Sequence, residues 1–170
     1  LITRPHPDFT LEYAPNLRAE LYRLSYGQPY LLQRLCWELV NHWNVRFLQA
    51  GEKTPRELTL ADLAPLLTPD FYHAAGYYFD GVWSNITAAE RDVLRVLAEQ
   101  EEGYSISDLA TATGKREADL QETLNLLRRH DVIVDKPGGV RFASELMRRW
   151  VVQMADTLMP TPPRTSSPTG

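Results

Sequence analysis

The strongest constraint on the fold is an apolar face that repeats along one long segment, residues 29–49. Its large apolar residues recur every four positions, with further apolar residues beside them: Leu31, Leu35, Leu39, Trp43 and Phe47, flanked by Leu32, Cys36 and Val40. This period indicates an α-helix about 30 Å long with one wide apolar side. Because such a side must be buried, we expect this helix to form the centre of a small helical bundle.

The composition is typical of a soluble globular protein. The 170 residues are 44% hydrophobic and 24% charged, which is enough chain for one large domain or two small ones. No apolar run approaches the roughly 18 residues that span a bilayer, and residues 1–5 do not resemble a signal peptide. The single cysteine, Cys36, excludes an internal disulfide. We therefore predict a cytoplasmic location without membrane contact, in a piece of a longer protein, since no initiator Met is present.

The first half is predicted to be a helical bundle over residues 1–84. A short helix begins near Asn16 and ends near Ser25, and the long helix follows it until Gly51. Thr59 is a predicted cap of another short helix. An aromatic segment comes next, and we expect it to fill the core and to wedge between two domains: Phe71, Tyr72, Tyr77, Tyr78, Phe79 and Trp83.

The second half, residues 86–158, is predicted to be a winged helix-turn-helix with a two-stranded wing. Thr87 and Glu90 form a capping box before the first helix, and Gly114 ends the second, which spans residues 105–113. A third helix covers residues 116–130. Two short strands then flank a Gly-containing turn, and a last helix follows Ser144. Residues 159–170 are rich in Pro, Ser and Thr and are predicted to be a linker or tail.

Several short motifs, in this order along the chain, resemble one group of proteins. They are residues 1–5, Gly27-Gln28-Pro29-Tyr30-Leu31-Leu32-Gln33, Gly81-Val82-Trp83, residues 87–91 and residues 141–150. Together they resemble the C-terminal helical lid and winged helix of STAND-type ATPases, which are P-loop proteins related to AAA+ ATPases and act as regulated switches.

The resemblance implies specific contacts with a nucleotide. Gly27, Gln28, Pro29 and Tyr30 match the loop that lies beside the adenine, and glycine and proline suit a close apolar approach to a base. Ser144 and Glu145 match the positions where many members place a His-Asp pair near the β-phosphate of ADP, so here they are candidate phosphate-side or switch residues. His130-Asp131 lies before the wing, and we interpret it as an ordinary polar helix end.

The chain lacks the residues that an ATPase needs for hydrolysis. It contains no Gly-x-x-x-x-Gly-Lys-Ser/Thr loop and no apolar strand that ends in acidic residues for Mg²⁺. It also shows no activated nucleophile and no metal-ligand spacing, so we name no catalytic or metal-binding residue. The resemblance therefore implies a non-catalytic regulatory fragment whose partner is its own upstream P-loop domain, with ATP or ADP and Mg bound only in the longer protein. Homo-oligomerisation is compatible with this reading.

Binding to DNA is an alternative, because winged helices often place their third helix in the major groove. The candidate contacts to DNA or to a protein partner are Lys115, Arg116, Lys136, Arg141, Arg148 and Arg149. Residues 86–158 nevertheless contain ten Lys or Arg and thirteen Asp or Glu. This acidic balance disfavours binding to phosphates. A DNA-binding regulator or initiator-like module, and a protein-interaction adaptor, remain the two alternatives.

Overall fold

The structure is a computed structural model that describes residues 11–50 and 56–158. Within these ranges the chain is mainly helical, as predicted, with two small sheets. The helices are α1 (Pro15–Ser25), α2 (Pro29–Ala50), α3 (Leu60–Leu63), α4 (Pro69–Ala74), α5 (Gly76–Ser84), α6 (Ala88–Ala98), α7 (Ile106–Thr113), α8 (Glu117–Arg129) and α9 (Glu145–Leu158). The strands are β1 (Glu12–Tyr13), β2 (Glu57–Leu58), β3 (Tyr104–Ser105), β4 (Ile133–Lys136) and β5 (Gly139–Phe142). The predictions for residues 1–5, Gly51 and residues 159–170 lie outside the described residues.

Helices α1 and α2 pack against each other at the start of the bundle. The apolar residues that they bury completely are Leu17, Leu21, Leu24, Leu31, Leu35 and Leu39. Trp43 and Phe47 are only half-buried and stack on each other with ring centroids 5.0 Å apart. The predicted apolar face is therefore buried along the first half of α2 only. Among the described residues, no helix is both long and apolar enough to cross a membrane.

Local capping explains where several helices begin. Thr87 and Glu90 form the predicted box: the Glu90 carboxylate accepts from the Thr87 N–H at 2.8 Å, and the Thr87 hydroxyl accepts from the Glu90 N–H at 3.3 Å. Thr59 and Asp62 form the same reciprocal arrangement at α3. These side chains satisfy N–H groups that have no partner inside the helix, so the predicted starts are confirmed.

The second half has the element order of a winged helix. Helix α6 is followed by β3, α7, α8 and the β4–β5 hairpin, and the three strands form an antiparallel sheet in the order β3-β5-β4. The predicted hairpin is thus present, and β3 adds to it a third strand that the sequence pattern did not predict. Gly139 permits the close pairing, because a Cβ there would lie 1.9 Å from the Tyr104 carbonyl oxygen.

A parallel pair of two-residue strands in the first half was also not predicted. Glu12 pairs with Glu57 and Tyr13 with Leu58, which ties the segment before α1 to the segment that follows α2. A strand of two residues is too short to show an alternating pattern, so nothing in the sequence marks it.

One aromatic cluster joins the two halves. Trp150 of α9 stacks on Phe79 at 5.6 Å and meets Trp83 edge-on at 5.7 Å, both on α5. The predicted core packing is therefore confirmed for the buried members of the aromatic segment. The hydrophobic core continues from Leu11 to Val151 without a break between the halves. The division into domains at residues 84–86 stays a prediction.

The aromatic cluster predicts a large stability effect at Trp150. Replacing Trp150 by Ala removes a fully buried ring, and we expect the free energy of unfolding to fall by about 3–5 kcal/mol. Urea denaturation of the chain measures this difference. Val152 lies exposed on the same helix, so Val152→Ala is the matched control, with an expected change below about 0.5 kcal/mol. A loss below about 1 kcal/mol for Trp150→Ala would contradict the packing described here.

Candidate functional site

The turn between α1 and α2 is held in a left-handed conformation. Tyr26 has φ 52° and Gly27 has φ 70°. The hydroxyl of Ser25 accepts a hydrogen bond from the Gly27 N–H at 3.2 Å and donates one to the Leu21 carbonyl at 2.7 Å. A Cβ at Gly27 would lie 3.2 Å from the Tyr22 ring. The positive φ therefore favours glycine here, and a side chain would crowd the ring of the exposed Tyr22.

Gln28 and Pro29 then start α2. The Gln28 side-chain oxygen accepts from the Leu31 N–H at 3.0 Å, and its carbonyl accepts from the Leu32 N–H at 2.9 Å. Pro29 follows at the first helical position, where its missing N–H has no cost. Pro29 and Tyr30 are exposed. The predicted nucleotide-binding residues thus form a rigid turn that leaves an apolar surface open to solvent.

A cleft of about 430 Å³ lies beside this turn, between the two halves of the chain. Tyr30 and Tyr78 form one side, with near-parallel rings whose centroids are 5.8 Å apart. Tyr77, at 89% exposure, lies at the rim. The remaining lining residues are Gly81 and Val82 of α5, Asn85 after it, and His130 at the end of α8.

Sequence reasoning missed this cleft. It assigned Tyr77 and Tyr78 to the core. Tyr77 is instead exposed at the cleft, whereas Tyr78 is partly buried, packs against the core as predicted and also lines the cleft. The periodicity of the helix could have predicted this exposure. If Phe79 and Trp83 point into the core, residues 77 and 81 lie on the opposite side of the same helix and point outward.

His130-Asp131 ends α8 with two exposed polar residues, as predicted. His130 lines the cleft, and Asp131 follows with φ 54°. Burial, and then the negative charge of Asp131, raise the pKa of Tyr78. Tyr78 therefore presents a neutral phenol, and a carboxylate lies near enough to influence it. Of the pair, His130 lines the cleft, and Asp131 acts on Tyr78 through its charge.

Ser144 links the two halves beside the turn. Its hydroxyl donates to the Leu24 carbonyl at 2.6 Å and accepts from the Met147 N–H at 3.3 Å, which caps α9. Leu24 lies three residues before Gly27. The structure thus brings a predicted phosphate-side residue close in space to the predicted adenine-side loop.

Glu145 is buried but fully paired. Its carboxylate lies 2.8 Å from the guanidinium groups of both Arg148 and Arg149. Burial by itself raises the pKa of Glu145, but hydrogen bonds and charge from the two arginines outweigh it, so the pKa lies below its usual value. The carboxylate remains ionised at neutral pH. It links the first turn of α9 to the second turn through its ion pairs with Arg148 and Arg149.

The candidate contact residues Arg148 and Arg149 do not form an exposed basic surface. The side chain of Arg148 is only 15% exposed, and besides Glu145 it donates to the Ala98 carbonyl at 2.8 Å. Arg149 is half-buried beside the same carboxylate. Since both arginines already have partners within the chain, they are poorly placed to contact a phosphate backbone.

Further ion pairs extend this network to α1. Arg23 of α1 lies 2.8 Å from Glu20 and 2.7 Å from Glu101, which follows α6. Arg148 of α9 lies 4.0 Å from the same Glu101. Charges from α1, α9 and the end of α6 thus meet at one seam, which we call the charged seam (Glu20, Arg23, Glu101, Glu145, Arg148 and Arg149).

The other candidate basic residues do not form a common surface for DNA. Arg116 is exposed but pairs with Asp119 at 2.8 Å, and the Arg141 guanidinium donates to the Phe142 carbonyl at 3.2 Å. Lys115 precedes α8 and Lys136 ends β4, and both are half-buried. The exposed side of the first half of α8 is acidic, with Glu117, Asp119 and Glu122. This arrangement does not favour phosphate contacts.

Cys36 shows no sign of activation. It is partly buried, and burial is the main cause that raises its pKa. Burial, with a contribution from Cys36, also raises the pKa of Tyr13. A protonated thiol in such surroundings behaves as a core residue. Across residues 11–50 and 56–158, no group of three or more His, Cys, Asp or Glu is placed to hold a metal ion.

The second half of the chain is similar to a known sequence family. A model described as a domain of unknown function (DUF8462) matches residues 77–151. The match begins at the cleft tyrosine Tyr77 and includes His130, Ser144 and Glu145, while the turn at Gly27 precedes it. Comparison with curated proteins and with solved structures gave no match.

Two glycine substitutions test the turn. Gly27→Ala places a Cβ on a left-handed backbone against Tyr22, and we expect a loss of about 1–2 kcal/mol in the free energy of unfolding. Gly81 is helical, and a Cβ there meets nothing within 4 Å. Gly81→Ala should therefore raise stability by about 0.5–1 kcal/mol. Thermal unfolding measures the change in stability of each variant. Equal changes for Gly27→Ala and Gly81→Ala would contradict the conclusion that the turn at Gly27 favours glycine.

The paired Glu145 predicts a pH-dependent contribution to stability. Its pKa is lower in the folded than in the unfolded chain, so its stabilisation is complete above the ordinary value of 4.5 and disappears as the pH falls through the folded pKa. At pH 7 we expect Glu145→Gln to cost about 1–3 kcal/mol. The difference from the parent should shrink in acid.

Urea denaturation across pH 3–7 measures this difference, at pH values chosen to bracket the carboxyl range. Glu122 is exposed on α8, so Glu122→Gln is the matched control and should change little at any pH. A Glu145→Gln penalty that stays constant into acid would mean that the carboxylate is not held ionised by its arginines.

Proposed function

We propose that this chain is the lid and winged-helix part of a nucleotide-regulated switch, in the manner of the STAND-type ATPases that its motifs resemble. The turn at Gly27 would close over the adenine side of a nucleotide held by an upstream P-loop domain. The chain itself would contribute regulation and no hydrolysis. The observation that carries the proposal is the Ser144–Leu24 hydrogen bond, because it joins the winged-helix part to the helix that ends at the turn.

The exposed apolar turn supports the nucleotide role. Pro29 and Tyr30 form a rigid surface whose backbone is fixed by Gln28 and Gly27. A preorganised surface loses little entropy when it closes on a flat base. The turn lies next to the contact between α1 and α9. A movement of the lid would therefore displace the winged helix, and a movement of the winged helix would displace the lid.

The charged seam supports the switching role. A switch requires contacts that differ between two states. Separation of α9 from α1 would break the Ser144–Leu24 hydrogen bond and draw Arg148 away from the Arg23–Glu101 pair. Part of this seam is exposed, and exposed ion pairs contribute little each. The exposed ion pairs would therefore add little to the cost of opening, which the apolar core shared by α1 and α9 would dominate.

The test uses the longer protein that contains the P-loop domain. In it, Pro29→Ala should weaken ADP binding about fivefold, through the loss of apolar contact with the base on the order of 1 kcal/mol. Isothermal titration calorimetry measures the affinity. Pro69 also occupies the first turn of an exposed helix start, so Pro69→Ala is the matched control and should leave the affinity unchanged.

Equal ADP affinities of the parent and Pro29→Ala proteins would argue strongly against the turn as a nucleotide contact. If Pro29→Ala and Pro69→Ala both weaken ADP binding to the same extent, the cause would be a general loss of stability. A natural gene product without any P-loop domain would remove the basis of the proposal.

A further inference from the structure

The cleft shares Tyr30 with the proposed nucleotide contact, but its chemistry differs from that of a phosphate site. Of the described residues that line it, none is Lys or Arg. Three are tyrosines, which offer the negatively polarised faces of aromatic rings. Such faces attract cations, in particular the planar guanidinium of arginine.

The electrostatic surroundings also favour a cation. Two helices end at the cleft, α5 next to Asn85 and α8 next to His130, and the carboxyl end of a helix carries partial negative charge. Asp131 is exposed directly after His130. The start of α2 brings the opposite polarity at Tyr30, but Gln28 already caps one of its N–H groups. The last turn of α8 carries Arg128, which pairs with Asp135, and Arg129. The negative charge beside the cleft therefore comes from Asp131 and the carboxyl end of α5, and the net charge of the whole chain is −4.

The shape favours a side chain carried by another protein over an enclosed small molecule. Tyr77, Gly81 and Asn85 follow one another at intervals of four along α5 and are all exposed, so the cleft is an open groove about 12 Å long. An open groove leaves one side of its occupant in solvent. Tyrosine at an exposed rim is also typical of protein interfaces.

We propose that this groove is a docking site for a basic segment of a partner protein, with an arginine side chain lying against the rings of Tyr77 and Tyr78. The guanidinium stacks on the exposed ring of Tyr77, beside Tyr78, while Asp131 and the carboxyl end of α5 supply the complementary negative charge. Gly81 provides the floor, because it leaves the middle of the groove open. This docking does not depend on nucleotide binding.

The experiment is an NMR titration of the chain with two probe peptides. One is acetyl-Ala-Arg-Ala-amide, and the other replaces arginine by citrulline, which has nearly the same shape without the charge. We expect saturable shifts of the Tyr77 and Tyr78 ring resonances with the arginine peptide only. Equal shifts with both peptides, or none with either, would overturn the proposal.

Variants locate the binding in the groove. Tyr77 is almost fully exposed, so Tyr77→Ala should keep the fold and weaken the arginine peptide about fivefold, the effect of one cation–π contact. Gly81→Leu should fill the groove and abolish binding. Trp37 is an exposed aromatic residue of α2 outside the groove, so Trp37→Ala is the control and should bind as the parent does. Unchanged binding by both groove variants would refute the assignment.

A third probe, adenosine, separates this proposal from the nucleotide switch. Saturable binding of adenosine in the groove, without binding of the arginine peptide, would show that the groove takes a neutral heterocycle and would overturn the docking proposal. The nucleotide role of Pro29 would still be decided separately, by the ADP affinity of the Pro29→Ala variant of the longer protein.

Discussion

The packing of Trp150 between Phe79 and Trp83 is the constraint on which the rest of the structure depends. Phe79 and Trp83 lie near the start of the region that matches the sequence family, residues 77–151, and Trp150 lies near its end. Their burial fixes the rotation of α5 about its own axis. Once this side of α5 faces α9, helix geometry turns Tyr77 and Gly81 to the opposite side. The groove at the surface is thus a consequence of the core beneath it.

Polar contacts then fix where α9 begins and how it meets α1. The Leu24 carbonyl belongs to the last turn of α1 and would otherwise lack a partner, and the Ser144 hydroxyl supplies one. Glu145 follows in the first turn of α9, where the helix dipole favours negative charge, and two arginines offset its burial. The apolar cluster provides most of the stabilisation between the two halves. The polar contacts of Ser144 and Glu145 fix the position of α9 relative to α1.

The sequence predicts those features whose causes are local. Helix starts depend on a few neighbouring residues, so the boxes at Thr59 and Thr87 and the cap at Ser144 could be identified. The β1–β2 pair and β3 could not, because each strand has two residues and its partner lies far away in the chain. Burial of Arg148 and the groove at His130 arise from tertiary packing, which no local pattern encodes. The same holds for α2, whose apolar period continues beyond the part that the fold buries.

The Gly27-Gln28-Pro29 turn shows where a structural explanation is complete and where it ends. Its positive φ accounts for Gly27, capping accounts for Gln28, and the first helical position accounts for Pro29. None of these roles requires the apolar surfaces of Pro29 and Tyr30 to face solvent, since many polar residues also start helices well. Exposed apolar surface adds nothing to the stability of the chain alone. The proposed nucleotide role of this motif therefore rests on Pro29 and Tyr30, and Gly27 holds the turn that presents them.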